Sequence, residues 1–319
     1  MKDTAFIDRR VKRIATRRVN GSVEAEEMDV LAAEEPLEIR VEGHSIAIVM
    51  RTPGDDRELA AGFLVTEGLV HTAGDLVDIS HQHHCLVSPG KGSNRSADIN
   101  DASPVKKVSE NGQKASPSDG NILNVQLKNP EAMDLKKLTR HVFTSSSCGI
   151  CSKASIEAVR QQFPPIEDDF EVDPHVLLNL PSALSSAQEN FKRTGGLHAC
   201  ALFDRSGSLL VLREDVGRHN ALDKVIGWAL LKNLLPLRQH LLLLSGRTSF
   251  EMMQKALAAG IPIVAAISAP SSLAAEFARD SGQTLVGFLR GERMNVYAGA
   301  SRVRPVGHRR NSDVVAVRG

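Results

Sequence analysis

The chain has 319 residues, 42% of them apolar, with 39 Lys and Arg against 38 Asp and Glu and a formal charge of +1. That is enough apolar sequence for a full core, most naturally in two domains, and the balanced charge excludes bulk attraction to nucleic acid or to a membrane surface. Four cysteines (Cys85, Cys148, Cys151 and Cys200) are too few for a secreted disulfide scaffold; with no apolar signal core and no bilayer-length apolar run, a reducing cytoplasm is the expected compartment.

Basic residues gather at both ends: Arg9, Arg10, Lys12, Arg13, Arg17 and Arg18, then Arg302, Arg304, Arg309 and Arg310. They read as solvated, disordered tails over 1–34 and 301–319. Between Pro36 and Met50 the apolar positions alternate (Leu37, Ile39, Val41, then Ile46, Ile48, Met50) around Glu42-Gly43-His44, which predicts a β-hairpin. A loop, Arg51 to Asp56, leads into a short helix over Glu58–Glu67 that stops near Gly68. From His81 to Asn121, Ser, Asn, Lys, Gly and Pro dominate without any period, so this stretch reads as a polar insertion. Its His81, His83, His84 and Cys85 read as an adventitious cluster in a low-complexity segment rather than a metal site. A strand at Ile122–Leu127 closes an N-terminal α+β domain spanning 35–133.

The second domain is expected over 134–300. Early in it, Thr144 to Ser155 places Cys148-Gly149-Ile150-Cys151 in a serine-rich turn ahead of a helical pattern (Ile156, Val159, Phe163). A helix N-terminus favours negative charge, so a cysteine there is held toward the reactive thiolate, and Lys153 adds to the effect. A further helix is predicted from about Pro181 to Phe191. Two apolar runs, His198–Asp204 and Ser208–Glu214, form a hairpin around Arg205-Ser206-Gly207. Helix and strand then alternate: helices at 220–232, 249–259 and 271–281, strands at 240–245, 261–268 and 284–289. This order implies right-handed crossovers and a three-layer α/β/α domain similar to the cytidine-deaminase topology.

Ligands of such a sheet bind where strand ends feed helix starts. Three loops qualify: Arg213 to Asn220, which carries Arg218 and His219; Ser245-Gly246-Arg247-Thr248-Ser249; and Ser268 to Ser272. Open N–H groups at helix starts and bidentate arginines suit phosphate. At the end of the last strand, Phe288-Leu289-Arg290-Gly291-Glu292-Arg293 offers two more arginines around a glycine. Together they point to a bulky, multiply phosphorylated ligand.

These blocks resemble the formate dehydrogenase accessory family, the sulfurtransferases written FdhD/NarQ. The matching stretches include Glu35-Pro36-Leu37, Arg51 to Asp56, Ser146 to Cys151, Arg193 to His198, Arg213 to Lys224, Ser245 to Arg247, Ala269 to Leu273 and Gly287 to Tyr297. The resemblance implies a homodimer that takes sulfur from a cysteine desulfurase as a cysteine persulfide. It further implies transfer of that sulfur to bis-molybdopterin guanine dinucleotide, carrying molybdenum or tungsten, for the formate dehydrogenase catalytic subunit. By position, Cys148 is the carrier, Cys151 its assistant, and Phe288 to Arg293 the cofactor contact. The deaminase His-x-Glu and Pro-Cys-x-x-Cys set is missing, so zinc deamination is not expected. Three other readings stay open: a dithiol oxidoreductase using Cys148 and Cys151, a non-catalytic cofactor chaperone, and a structural zinc on the same pair.

Overall fold

The computed structural model describes residues 8–20, 23–81, 120–132 and 163–304. The disordered basic tail expected over 1–34 does not hold for Val11–Ala32. There β1 (Val11–Asn20) and β2 (Val23–Ala32) form an antiparallel ribbon in unbroken register from Val11↔Ala32 to Asn20↔Val23. The reason is charge, which masks the alternation: β1 is basic, β2 is acidic, and Arg18 ion-pairs with Glu27 across the ribbon. Ala33 N–H to Arg10 O (2.8 Å) and the Arg9–Glu35 and Arg10–Asp55 ion pairs tie it to the body.

The smaller sheet comprises β3 (Glu35–Val41), β4 (His44–Arg51), β5 (Leu76–His81) and β6 (Ile122–Leu127), in the order β4-β3-β6-β5. The predicted hairpin is β3–β4; its two-residue turn, Glu42-Gly43, has positive φ at both positions (50° and 79°), as such a tight turn requires. Leu37, Ile39 and Val41 point inward and are fully buried. Strand β5 carries no clear alternation, and its pairing with β6 assigns it. Helix α1 (Asp56–Thr66) follows β4.

In the larger unit, Asp173 caps the amide of His175 (2.8 Å) and Pro174 opens α2 (Pro174–Ala187). The start expected at Pro181 is therefore a correction: Pro181 sits inside the helix. Asp-Pro is the stronger start signal, and the buried stripe Leu177, Leu180 and Leu184 offsets the one missing N–H. A short α3 (Glu189–Thr194) ends on Gly195 in left-handed conformation. Then come β7 (His198–Phe203), β8 (Leu209–Asp215), α4 (Arg218–Leu231), β9 (Leu241–Leu244), α5 (Phe250–Ala258), β10 (Ile263–Ala266), α6 (Ser272–Asp280), β11 (Thr284–Arg290) and β12 (Arg293–Ala298).

The sheet order is β12-β11-β10-β9-β7-β8. Strands β9, β10 and β11 are parallel, whereas β7, β8 and β12 each run antiparallel to a neighbour. Alternate residues serve opposite faces. Leu241 and Leu243 pack with Leu177, Leu180 and Leu184 of α2, while Leu242 and Leu244 pack with α4 and α5. Helices on both faces make this the expected three-layer α/β/α arrangement, and explain why β9 is four leucines without a polar position. At the far end, Arg302 is buried against Asp168 and Gly282 O, and Val303 bridges to Val172. Arg302 and Arg304 thus belong to folded structure rather than to a basic tail beginning at 301. Among the described residues, no helix is long and apolar enough to cross a membrane.

Helices α1 and α4 join the two units backbone to backbone. A Cβ on Gly62 would lie 1.8 Å from Asp223 O, and one on Gly227 would lie 1.8 Å from Glu58 O. Only glycine permits this approach at either position.

Candidate functional site

The ends of β8, β9, β10 and β11 and the start of antiparallel β7 lie on one edge of the larger sheet. Its loops are interlocked by backbone hydrogen bonds. Ser245 N–H donates to Ala199 O (2.9 Å), and Ala199 N–H donates to Ser245 Oγ (2.9 Å). Thr248 N–H donates to Ala269 O (3.2 Å), Ser271 N–H to Thr248 O (2.9 Å), and Phe288 N–H to Ser268 O (3.1 Å). Every described loop singled out from the sequence on this domain is therefore on one rim. Cys148 and Cys151 lie outside the described residues, as do His83, His84 and Cys85.

Two helices start at this rim without side-chain caps, α4 at Gly217 and α5 at Ser249. Their first N–H groups and positive dipole ends face the edge. Arg218 and His219 are the first two residues of α4, and Arg247 precedes α5. Across from them His198 begins β7, opposite Asp215 in register. Burial pushes the His198 imidazole below its usual range, and the electrostatic influence of Arg218, His219 and Arg247 acts the same way; Asp215 opposes them.

Several buried polar atoms here have no hydrogen-bond partner among the described residues: Arg218 Nε, His219 Nδ1, Thr248 Oγ1 and Ser249 Oγ. His219 Nε2 lies 3.1 Å from Glu251 Oε2, an ion-pair distance. Each unpartnered buried polar atom costs on the order of 1–3 kcal/mol, so this concentration marks a place shaped for a polar ligand rather than for stability. Arg218, His219 and Arg247 are thus brought together as expected. His198 and Thr248 join them without having been singled out as individual residues. Thr248 lies within the Ser245–Ser249 loop, whereas only the strand order, which sets β7 beside β9, reveals the position of His198.

The stretch Phe288 to Arg293 lies at the end of β11, as expected, but β11 is not the last strand, because β12 follows. It spans the end of β11, the two-residue turn Gly291-Glu292 and the first residue of β12, with register shifts between Leu285 and Val286 and between Gly287 and Arg290. Phe288 holds a positive φ of 51°, a strain of about 1–3 kcal/mol for a residue with a Cβ. The Arg290 guanidinium stands 5.4 Å from its ring centroid. Arg290, Gly291, Glu292 and Arg293 are exposed, whereas Leu289 is wholly buried in the core under α2 and offers a ligand only its backbone.

Two other charged residues of the β8–α4 loop prove structural. Arg213 grips Glu58 through a guanidinium fork (2.5 and 2.7 Å). Asp215 is fully buried, accepts from Thr52 N–H, Gly217 N–H and Asn220 Nδ2, and pairs with Lys224 Nζ at 2.7 Å. Cys200 is likewise internal, its thiol pushed up by burial.

The model of the FdhD/NarQ family matches residues 32–304. The chain is 48% identical over 278 residues to a protein of Streptomyces avermitilis named sulfur carrier protein FdhD, covering 86% of this chain and 89% of that one. Proteins of the same name match from Nocardia farcinica (44% over 291 residues, covering 91% and 93%) and from Sulfurisphaera tokodaii (39% over 296 residues, covering 92% and 99%). A crystal structure named for a formate dehydrogenase accessory protein of Desulfotalea psychrophila shares the fold, with a TM-score of 0.64 at 24% identity over 92% of this chain and 99% of that one.

Proposed function

The chain belongs to the FdhD/NarQ family, and from that premise we propose that it is a sulfurtransferase serving formate dehydrogenase through a persulfide on Cys148. The Cys148 thiolate attacks the outer sulfur of a cysteine desulfurase persulfide. A new sulfur–sulfur bond forms on Cys148, the donor's bond breaks, and the donor cysteine leaves as thiolate. Cys151, three residues on, assists by protecting or relaying that sulfur. The acceptor is the metal centre of bis-molybdopterin guanine dinucleotide, a substrate of this protein, with molybdenum or tungsten. The protein works in the cytoplasm as a homodimer, between the desulfurase and the dehydrogenase catalytic subunit.

The observation that supports a phosphate-bearing acceptor is the rim itself. Two uncapped helix starts, Arg218, Arg247 and the unpartnered atoms of His219 and Thr248 face one edge. A dinucleotide supplies the anionic oxygens that such a donor set lacks. The β11–β12 turn, with Phe288, Arg290 and Arg293, lies on the same rim for the rest of the ligand. A dithiol oxidoreductase would need none of this.

The test is mass spectrometry of the full chain after incubation with a cysteine desulfurase and cysteine. One added sulfur on Cys148, lost in Cys148→Ala and kept in Cys151→Ala, is expected. A missing adduct on both cysteines would overturn the transferase reading.

A further inference from the structure

We propose that His198 is an additional anion-binding side chain of this rim, and that it meets a phosphate-bearing ligand as imidazolium, so that binding takes up a proton from solvent. The inference rests on the reading of this edge as a nucleotide site, and it adds a residue and a pH dependence to that reading.

The geometry comes first. His198 opens β7, and its neighbour Ala199 is bonded in both directions to Ser245 at the end of β9, which fixes the ring against the Arg247 loop. A Cβ on Gly246 would stand 3.1 Å from His198 Nδ1 and 3.4 Å from Cε1. The glycine therefore leaves room for the imidazole at the foot of the loop. The ring is half-buried, so it retains an open side.

The charged groups around it come from three elements: Asp215 from β8, Arg218 and His219 from α4, and Arg247 from the β9–α5 loop, with Glu251 of α5 against His219. The guanidinium groups of Arg218 and Arg247 outweigh Asp215, whose own oxygens are taken by Lys224, Thr52, Gly217 and Asn220. Without a ligand, the imidazole is thus kept neutral by burial and by positive neighbours. A diphosphate placed among Arg218, Arg247 and Thr248 reverses the sign of the field at that ring. Protonation then becomes favourable, and His198 gains a donor to offer a phosphate oxygen. By linkage, affinity must rise as pH falls, by at most about tenfold per pH unit for one proton.

The experiment is calorimetric titration of the full chain with guanosine diphosphate, and separately with inorganic pyrophosphate, at neutral pH in buffers of different ionisation enthalpy. The dependence of observed heat on buffer counts the protons. A net uptake is expected, and it should disappear in His198→Asn while weaker binding remains. Arg247→Gln should lose affinity and keep the uptake. Binding without proton uptake overturns the inference and leaves the nucleotide site standing. Uptake that survives in His198→Asn but vanishes in His219→Gln overturns the assignment to His198. Failure of the wild type to bind either probe overturns the nucleotide reading and this inference together. Should His198→Asn not fold by circular dichroism, NMR of the ring-labelled wild type decides: one imidazole must titrate at higher pH once guanosine diphosphate is added, and unchanged titrations refute the proposal.

Discussion

Two buried polar clusters lie about α4, and they are built on opposite principles. In the seam between the units, each charged group has its partner. Arg51 forks onto Asp56 (2.9 and 3.0 Å), Lys224 holds Asp215 and Thr52 O, and Lys255 reaches Asp223 and Thr66 at 2.9 Å. At the rim, one turn away along the same helix, His219, Arg218 and Thr248 carry atoms without partners among the described residues. Both clusters use buried charge, which a hydrophobic core of similar volume would match in stability. What separates them is satisfaction: the closed network specifies how two units meet, and the open one anticipates a ligand. The helix pattern shows this directly. His219 and Asp223, four residues apart on α4, face Glu251 and Lys255, four residues apart on α5. The outer rung pairs His219 Nε2 with Glu251 Oε2 at 3.1 Å and leaves His219 Nδ1 without a partner among the described residues, whereas the inner rung is closed by Thr66 and by Phe63, whose ring lies 5.9 Å from Lys255 Nζ.

The contrast is broken most sharply by removing one partner from the seam. Lys224→Ala leaves the Asp215 carboxylate buried without its cation, and a loss of about 3–5 kcal/mol is expected in urea unfolding. A loss below about 1 kcal/mol would mean that the three donors to Asp215 suffice alone. Gly227→Ala comes next. Its Cβ meets Glu58 O, so α1 must shift off α4, at about 3 kcal/mol by the same measurement. Neither change touches the rim, yet both should loosen it, because Thr52 and Asp215 set the start of α4.

How far the sequence could reveal these clusters depends on chain distance. The β3–β4 hairpin and the alternation from β9 to β11 were legible because their signals are local: period-two strands, a Gly turn, and helices between apolar runs. Arg218, His219 and Arg247 were legible as residues, since each sits at a helix start. The seam was not. Arg51 to Asp56 is a conspicuous polar loop, and nothing local says that Thr52 bonds Asp215, 163 residues away. Arg213 and Asp215 looked equally fit for a ligand until Glu58 and Lys224 were seen to occupy them. The N-terminal ribbon failed for another reason: its complementary charges pair across strands, and pairing is invisible in a composition of arginines.

At the rim the expected sign is reversed. Thr248→Val replaces a buried hydroxyl that lacks a partner with a methyl group of the same shape, so stability should rise by about 1 kcal/mol. Affinity for guanosine diphosphate should fall in the same variant. A clear loss of stability instead would place Thr248 with the seam, as a structural residue.

The smallest effect expected is a pH dependence of the free protein. Folding lowers the imidazole pKa of His198 and of His240, in both cases chiefly through burial, so the unfolded chain binds protons more readily than the folded one. Stability therefore holds above the ordinary imidazole pKa of about 6.5 and declines as pH falls through it toward the lowered values. Thermal unfolding from pH 7 down to pH 5 should show a falling midpoint. His198→Asn should flatten that slope, leaving the part due to His240, and guanosine diphosphate should flatten the wild-type slope in the same way, because an anion at the rim removes the penalty on His198. Equal slopes in the variant and the wild type would place His198 outside the cationic cluster, and would leave the rim and the seam alike in their response to protons.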